Sequence, residues 1–194
     1  MVMRVVEVTP AAVEPVTLAE AKTHLRVSQS ADDTYITTLI TVARRQIELL
    51  TQCALINTVF NAYLDGFPCG RVLELRKGRL QSVASVQYYA YGETTLTTLA
   101  ASEYRVDTVS MHGRIILLDG KYWPTVWNDG DAVKIAFTAG FGAAAANVPP
   151  QLRHAMLFLI AHFYAVRQPV ITGTIVNEMP LAIESLVMPF RVAS

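Results

Sequence analysis

The feature that most constrains this chain is a change of hydrophobic period near residue 55, with a return near residue 151. Before 55 the apolar residues recur at the helical spacing. Between 55 and 139 they fall into short β-branched and aromatic runs separated by turn residues. From 151 they are helical again. A chain written this way is α+β, with one contiguous β block held between helical segments.

The first helical segment is announced by VTLAEAKTHLRV, 16–27. Thr17 suits the N-cap and Glu20 the third helical position, the two halves of a capping box. Leu18, Ala21 and Leu25 share one face. The predicted helix, 17–25, is too short to be stable alone, because isolated helices below roughly 12–15 residues are marginal in water. It must therefore dock on other helices. After SQSADD (28–33), with Ser30 as the expected cap and Asp33 three residues later, a second helix is predicted over 31–53. Ile36, Leu39, Ile40, Ala43, Ile47 and Leu50 form its apolar face, and Thr37, Thr38, Thr41, Arg45, Glu48 and Gln52 the opposite one.

The β block reads as LINTVFNAYLD (55–65), VLEL (72–75), LQSVASVQYYAY (80–91), YRVDTV (104–109), RIILLD (114–119) and AVKIAFTA (132–139). Val83, Val86, Tyr88 and Tyr89 do not alternate cleanly, which predicts a bulge or burial on both faces. Five or six strands at this spacing predict a small antiparallel sheet or sandwich. Residues 1–15 read only as extended. Beyond the AGFG turn (139–142), Pro149 or Pro150 suits the first turn of a helix over 150–167 that is apolar almost all round. An irregular arm and a short helix over 180–188 follow. The expected architecture is an α-helical bundle core, 1–54 and 140–194, with an inserted antiparallel β subdomain, 55–139.

Composition narrows the function. Sixteen basic and sixteen acidic residues cancel, which disfavours a nucleic-acid binder that relies on a broad basic surface. The hydrophobic content of 52% with 16% charged residues suits a chain that buries surface in an assembly. Residues 1–15 lack the apolar core of a signal peptide, and the run AMLFLIA (155–161) is far below the roughly 18 residues needed to span a bilayer, so no membrane association is expected. Cys53 and Cys69 have no metal-ligand spacing and read as free buried thiols in a reducing compartment, a disulfide being the unsupported alternative.

Chemical motifs are weak throughout. His154 and His162 stand eight apart on one helix, too far to share a metal, and His24 and His112 have no partnering motif. Asp32 and Asp33 suit a helix start, and Asp129 and Asp131 suit a turn around Gly130. A two-carboxylate hydrolase stays open, because such pairs meet only in three dimensions. Tyr88, Tyr89 and Tyr91 read as sheet packing before a stacking platform, and Trp123 and Trp127 as loop anchors before a sugar site. Arg76, Lys77 and Arg79 read either as a hairpin tip or as a contact for DNA phosphate or an acidic partner. No catalytic residue, cofactor or metal site is expected.

Four stretches carry a resemblance: PVTLAEAKTHLRV (15–27), LQSVASVQYYAY (80–91), FTAGFGAAAANVPPQLRHAMLFLIAHFYAVR (137–167) and MPFRV (188–192). In this order the chain resembles the head-to-tail connector, or adaptor, proteins of tailed bacteriophages and prophages, the gp6-like and phiE125 gp8-like group. The stretches cover about a third of the chain, and the helix order nearly all of it. The resemblance implies a structural protein of the virion neck, made in the bacterial host cytoplasm, and no enzyme. It would form a ring, commonly of twelve copies, that docks on the portal protein and extends the DNA channel without sequence-specific binding. The ring would then receive the next neck or tail-completion protein. The C-terminal segment, 168–194, would engage the portal. The interface candidates there are Val170, Ile171, Ile175, Val176, Leu186, Phe190 and Arg191. Minimal gp6-like proteins lack a β insertion of this size. Two rival readings are another neck component, such as a stopper or tail-completion protein, and a small hydrolase or binding protein with its site in the β block.

Overall fold

The structure, a computed structural model, describes residues 3–127, 130–166 and 181–192. It is α+β: among the described residues there are four α-helices and two antiparallel sheets, one of five strands and one of three. The chain divides into two compact units. One takes in the described residues of 1–11, 57–140 and 192–194, and the other those of 12–56 and 141–191.

The helical unit contains α1 (Leu18–Leu25), α2 (Asp33–Thr51), α3 (Pro150–Ala165) and α4 (Leu181–Val187). The start of α1 follows from its cap. The Glu20 amide donates to Thr17 Oγ1 at 3.2 Å, and the Thr17 amide donates back to Glu20 Oε2 at 2.8 Å. Both halves of the expected capping box are therefore made. α1 ends at Arg26, in the left-handed region at φ 57°, with the Val27 amide closing on the Lys22 carbonyl at 3.0 Å. As its length requires, α1 packs against α2 and α3. Arg153 of α3 donates to the Pro15 carbonyl at 2.9 Å and to the Glu20 carboxylate, which ties α3 to the start of α1.

α2 differs from expectation at its start and on one face. Its N-cap is Asp32, not Ser30. Ser30 contributes only its carbonyl, which accepts the Asp33 amide at 3.1 Å. The Asp32 side chain does not cap the helix and instead accepts the Tyr164 hydroxyl at 2.6 Å, a tertiary bond that outcompetes the local one. Ile36, Leu39, Ile40, Ala43 and Ile47 are buried as the period predicts, and Leu50 is half-buried. Glu48, placed on the polar face by periodicity, is buried with Arg44, because the guanidinium and carboxylate satisfy each other.

α3 begins with Pro150 in its first turn and buries Leu152, Ala155, Met156, Leu159 and Ile160. α4 adds Ile183 and Val187 to the same core. Cys53 is buried, but Cys69 is exposed, contrary to the expectation of two buried thiols. Both are free.

The other unit holds β1 (Met3–Thr9), β2 (Thr58–Leu64), β3 (Val72–Gly78), β4 (Leu80–Tyr89), β5 (Leu96–Thr98), β6 (Tyr104–Asp107), β7 (His112–Leu117) and β8 (Val133–Ala139). The larger sheet has the order β1-β2-β8-β4-β5 and the smaller β3-β7-β6. Two strands go beyond the five or six expected. β1 pairs antiparallel with β2 and forms an edge, so residues 3–9 join the sheet and not the helices with which 1–54 was grouped. Adjacent Val5 and Val6 hide its alternation. β5 is three exposed residues paired with β4. The bulge expected in β4 is present twice, between Leu80 and Ser82 and between Val83 and Ser85.

Phe60, Ala62, Leu64, Val86, Val133, Ile135 and Phe137 form the buried face of the larger sheet, and Leu73, Leu75, Ile115 and Leu117 that of the smaller. Gly113 of β7 lies against Leu80. A Cβ there would sit 2.4 Å from Leu80 Cβ, so only glycine lets the strand come this close.

Candidate assembly surfaces

Among the described residues, no three His, Cys, Asp or Glu side chains converge to hold a metal, and no helix is long and apolar enough to cross a membrane. His24 and His154 come together across α1 and α3, ring centroids 6.3 Å apart and nearly perpendicular, with Phe158 beside both. The arrangement is an aromatic seam between two helices. Asp131 lies at φ 50°, consistent with its turn role. It pairs with Arg4, and its amide donates to Asp65 Oδ1 at 3.2 Å. Its expected companion, Asp129, falls outside the described residues.

The C-terminal candidates divide. Val170, Ile171, Ile175 and Val176 lie outside the described residues. Leu186 and Phe190 are half-buried, and the Phe190 ring meets Phe141 edge-on at 6.1 Å. The Phe190 carbonyl accepts the Cys53 thiol at 3.6 Å. Arg191 is exposed and, with Leu50, Glu184, Val187 and Met188, lines a groove of about 90 Å³. Its apolar wall ends at Met188, which is 72% exposed. Phe190 thus anchors the C-terminal segment, while Arg191 and Met188 face outward.

The basic run is not a hairpin tip. Gly78 ends β3 in the three-stranded sheet and pairs with His112. Leu80 begins β4 in the five-stranded sheet, and Arg79 makes the step between them at φ 61°. The Arg79 amide donates to the Met111 carbonyl at 3.3 Å. Two residues of the run are drawn inward. Lys77 is half-buried with its ammonium 5.4 Å from the Phe60 ring centroid, and Arg79 is half-buried. Arg76 alone is fully exposed.

Sequence reasoning missed the Asp107 knot and the exposed Tyr91–Trp127 pair of the β unit, and left the partners of Trp123 open. Asp107 Oδ1 accepts the amides of Val109 and Ser110. Its Oδ2 accepts the Ser110 hydroxyl at 2.7 Å and Arg114 Nη2 at 2.6 Å. The Ser110 hydroxyl, followed by the Arg114 guanidinium, holds this carboxyl well below the usual range. The knot fixes the β6–β7 turn, whose tip, Val109, is 90% exposed. Phe67 and Trp123 stack at 4.7 Å, and the indole N–H donates to the Gly70 carbonyl at 2.7 Å, a loop anchor as predicted for Trp123. Tyr91 and Trp127 stack at 5.4 Å while 75% and 42% exposed. The aspartate's spacing from Ser110 and Arg114 is the one signal in the sequence that points to the knot. The two ring pairs are too far apart along the chain to be read from it.

Residues 15–77 match the profile of the phage gp6-like head-tail connector protein family. No curated protein matches the sequence. Among solved structures, a chain from the neck of an empty gene transfer agent (GTA) particle with C6 symmetry is similar at 27% identity. It covers 98% of this chain and 96% of its own, with a TM-score of 0.81. A chain from the neck of a native GTA particle with C12 symmetry is similar at 26% identity, covering 100% and 97%, with a TM-score of 0.73. The 15–77 match takes in the capped α1, all of α2 and the first strands of the β block, and the structural likeness runs through the two sheets to α4. Over 15–77 the chain is thus similar to the phage gp6-like head-tail connector proteins, and over nearly its whole length to chains of the GTA neck.

Proposed function

We propose that this protein is the head-to-tail adaptor of a phage-like particle: a ring, of twelve copies when assembled, that docks on the portal, extends the DNA channel and receives the next neck protein. The observation that carries the reading is the likeness over nearly the whole length of both chains to a protein of the GTA neck, joined to the connector profile over 15–77. The helical unit acts as the connector core and the sheets as the inserted subdomain. The charge balance supports a conduit role, because a strongly basic lumen would retain DNA. The role is structural, and DNA passes without being read.

Val170, Ile171, Ile175 and Val176, with Leu186, Phe190 and Arg191, are the proposed portal-facing and subunit contacts. Arg76, Lys77 and Arg79 are the proposed contacts for DNA or an acidic partner, Arg76 foremost because it is the most exposed. Truncation near 168 is a poor test, because it removes Ile183 and Val187 from the core of the helical unit. The direct test is electron microscopy of the full chain mixed with its cognate portal. Rings seated on portal are expected from the wild type. Val170→Asp with Ile175→Asp is expected to abolish seating while helix content is retained. Wild-type protein that ignores portal under all conditions overturns the reading.

A further inference from the structure

The β unit carries two exposed surfaces of opposite chemistry. The first is the outer face of the three-stranded sheet. The register places Val72 opposite Ile116 and Ile116 opposite Arg105, so an apolar row ends in an arginine on the edge strand. One row along, Glu74, Arg114 and Asp107 stand side by side, and Arg114 is neutralised by Asp107. Arg105 is exposed and, among the described residues, has no ion-pair partner.

The second surface lies at the end of the five-stranded sheet. A groove of about 340 Å³ is lined by Tyr89, Gly92, Glu93, Thr94, Trp127 and Ala132. Trp127 forms one wall and is backed by the stacked ring of Tyr91. Glu93 is exposed, its amide closing a turn onto the Ala90 carbonyl at 2.9 Å, and its carboxylate has no partner among the described residues. An exposed Trp–Tyr pair beside an unmatched carboxylate is the chemistry that receives an arginine: the guanidinium lies over the indole face and its N–H groups reach the carboxylate. Aromatic residues and arginine are also the side chains that dominate binding at protein interfaces.

We propose that Arg105 of one copy enters the Trp127–Glu93 groove of the next copy, with the Val72–Ile116 row covering the indole edge. The occupant is a second copy because the two surfaces complement each other in charge while the chain as a whole is neutral. DNA is disfavoured at both places: Glu93 repels phosphate, and Val72 and Ile116 offer it nothing. Since the surfaces differ, the contact is heterologous, the kind that closes into a ring when its rotation allows. The inference rests on the adaptor reading above and adds the contact that would build its ring.

The test uses Arg105→Glu, Glu93→Arg, the double variant and a mixture of the two single variants, each added to the cognate portal and imaged. In parallel, association of the free protein is followed by sedimentation. Each single change is expected to weaken self-association by about tenfold or more and to remove rings. The double variant is expected to regain them. The mixture presents the native contact in one direction and the swapped contact in the other, and is expected to form rings in which the two variants alternate. Both positions are exposed, so circular dichroism should match wild type. As a second measure, Arg105→Cys and Glu93→Cys in one Cys69→Ser chain should give a ladder of covalent oligomers on oxidation. Wild-type rings accompanied by intact rings from both single variants, by a double variant that stays dispersed, or by no ladder overturn this contact and leave the adaptor reading standing. Absence of rings from the wild type overturns both.

Discussion

Arg44 and Glu48 stand one turn apart on α2 with Nη1 and Oε2 3.1 Å apart, and both side chains are buried. Neither is left short of partners. Glu14 accepts Arg44 Nε at 2.8 Å, and the second oxygen of Glu48 accepts the Leu55 amide at 3.0 Å. One buried cation thus joins the segment before α1 to α2, and one buried carboxylate joins α2 to the chain beyond it. Removing one partner of such a group strands the other's charge away from water, at a cost of about 3–5 kcal/mol. Arg44→Ala is expected to fall in that range in urea denaturation. Arg44→Met combined with Glu48→Gln is expected to cost less than the sum of the single changes, because no charge is left unpaired.

The α1 cap predicts a pH dependence. The backbone hydrogen bond from Thr17, opposed by burial and aided by the Thr17 hydroxyl and Arg153, lowers the Glu20 pKa below its ordinary 4.5. A carboxyl depressed in the folded state contributes stability that is present above the unfolded pKa and lost as pH falls through the folded one. Wild type should therefore lose stability on acidification below about pH 4.5, and Glu20→Gln should lose less over the same range. Thr17→Ala, which removes the hydroxyl half of the cap, should cost about 1 kcal/mol at neutral pH. Thermal melts across pH 2.5–7 (a span of roughly two units either side of the ordinary carboxylate value) check all three.

The contact between Gly113 and Leu80 predicts overpacking. Gly113→Ala places a methyl group 2.4 Å from Leu80 Cβ and should destabilise the chain by about 1–3 kcal/mol. Trimming Leu80 to Ala opens a cavity by itself, since Leu80 is buried. The pair of changes should therefore be less damaging than the two added together. A double-mutant cycle measured by chemical denaturation reads the coupling, and simple additivity would show that the strand relaxes without it.

The two thiols should differ in reactivity. Cys69 is exposed and Cys53 is buried. A chromogenic thiol reagent is expected to titrate one thiol per chain in the native protein and two in denaturant. Cys69→Ser should remove the native reaction entirely.

The legible parts of the structure were those set by local physics. The capping box of α1 needs only Thr17 and Glu20 three residues apart. The apolar stripe of α2 needs only the 3.6-residue period, and the first turn of α3 needs only Pro150. The bulges of β4 were visible because its apolar residues break alternation. What stayed hidden was decided by partners distant along the chain. Asp32 gives up capping because Tyr164 reaches it, and Glu48 leaves the polar face because Arg44 sits beside it. Arg79 steps from one sheet to another because β3 and β4 pair with different strands. The exposed Trp127–Tyr91 pair and Glu93 became a surface only when β4 and the loop before β8 were brought together.

The sequence by itself therefore determined the kind of chain this is: helices on either side of a β block, no catalytic motif, balanced charge, and ordered stretches similar to those of connector proteins. These depend on interactions within one or two turns and on composition, which any unfolded copy already carries. Only the tertiary structure decided that residues 3–9 complete the larger sheet, that an arginine–carboxylate network is buried under α2, and that an unmatched arginine and an aromatic, acidic groove occupy separate surfaces of the β unit. Strand pairing and buried charge depend on contacts between residues tens of positions apart. Their energy is gained only after the chain has closed the intervening loops, and no local pattern records which closure wins.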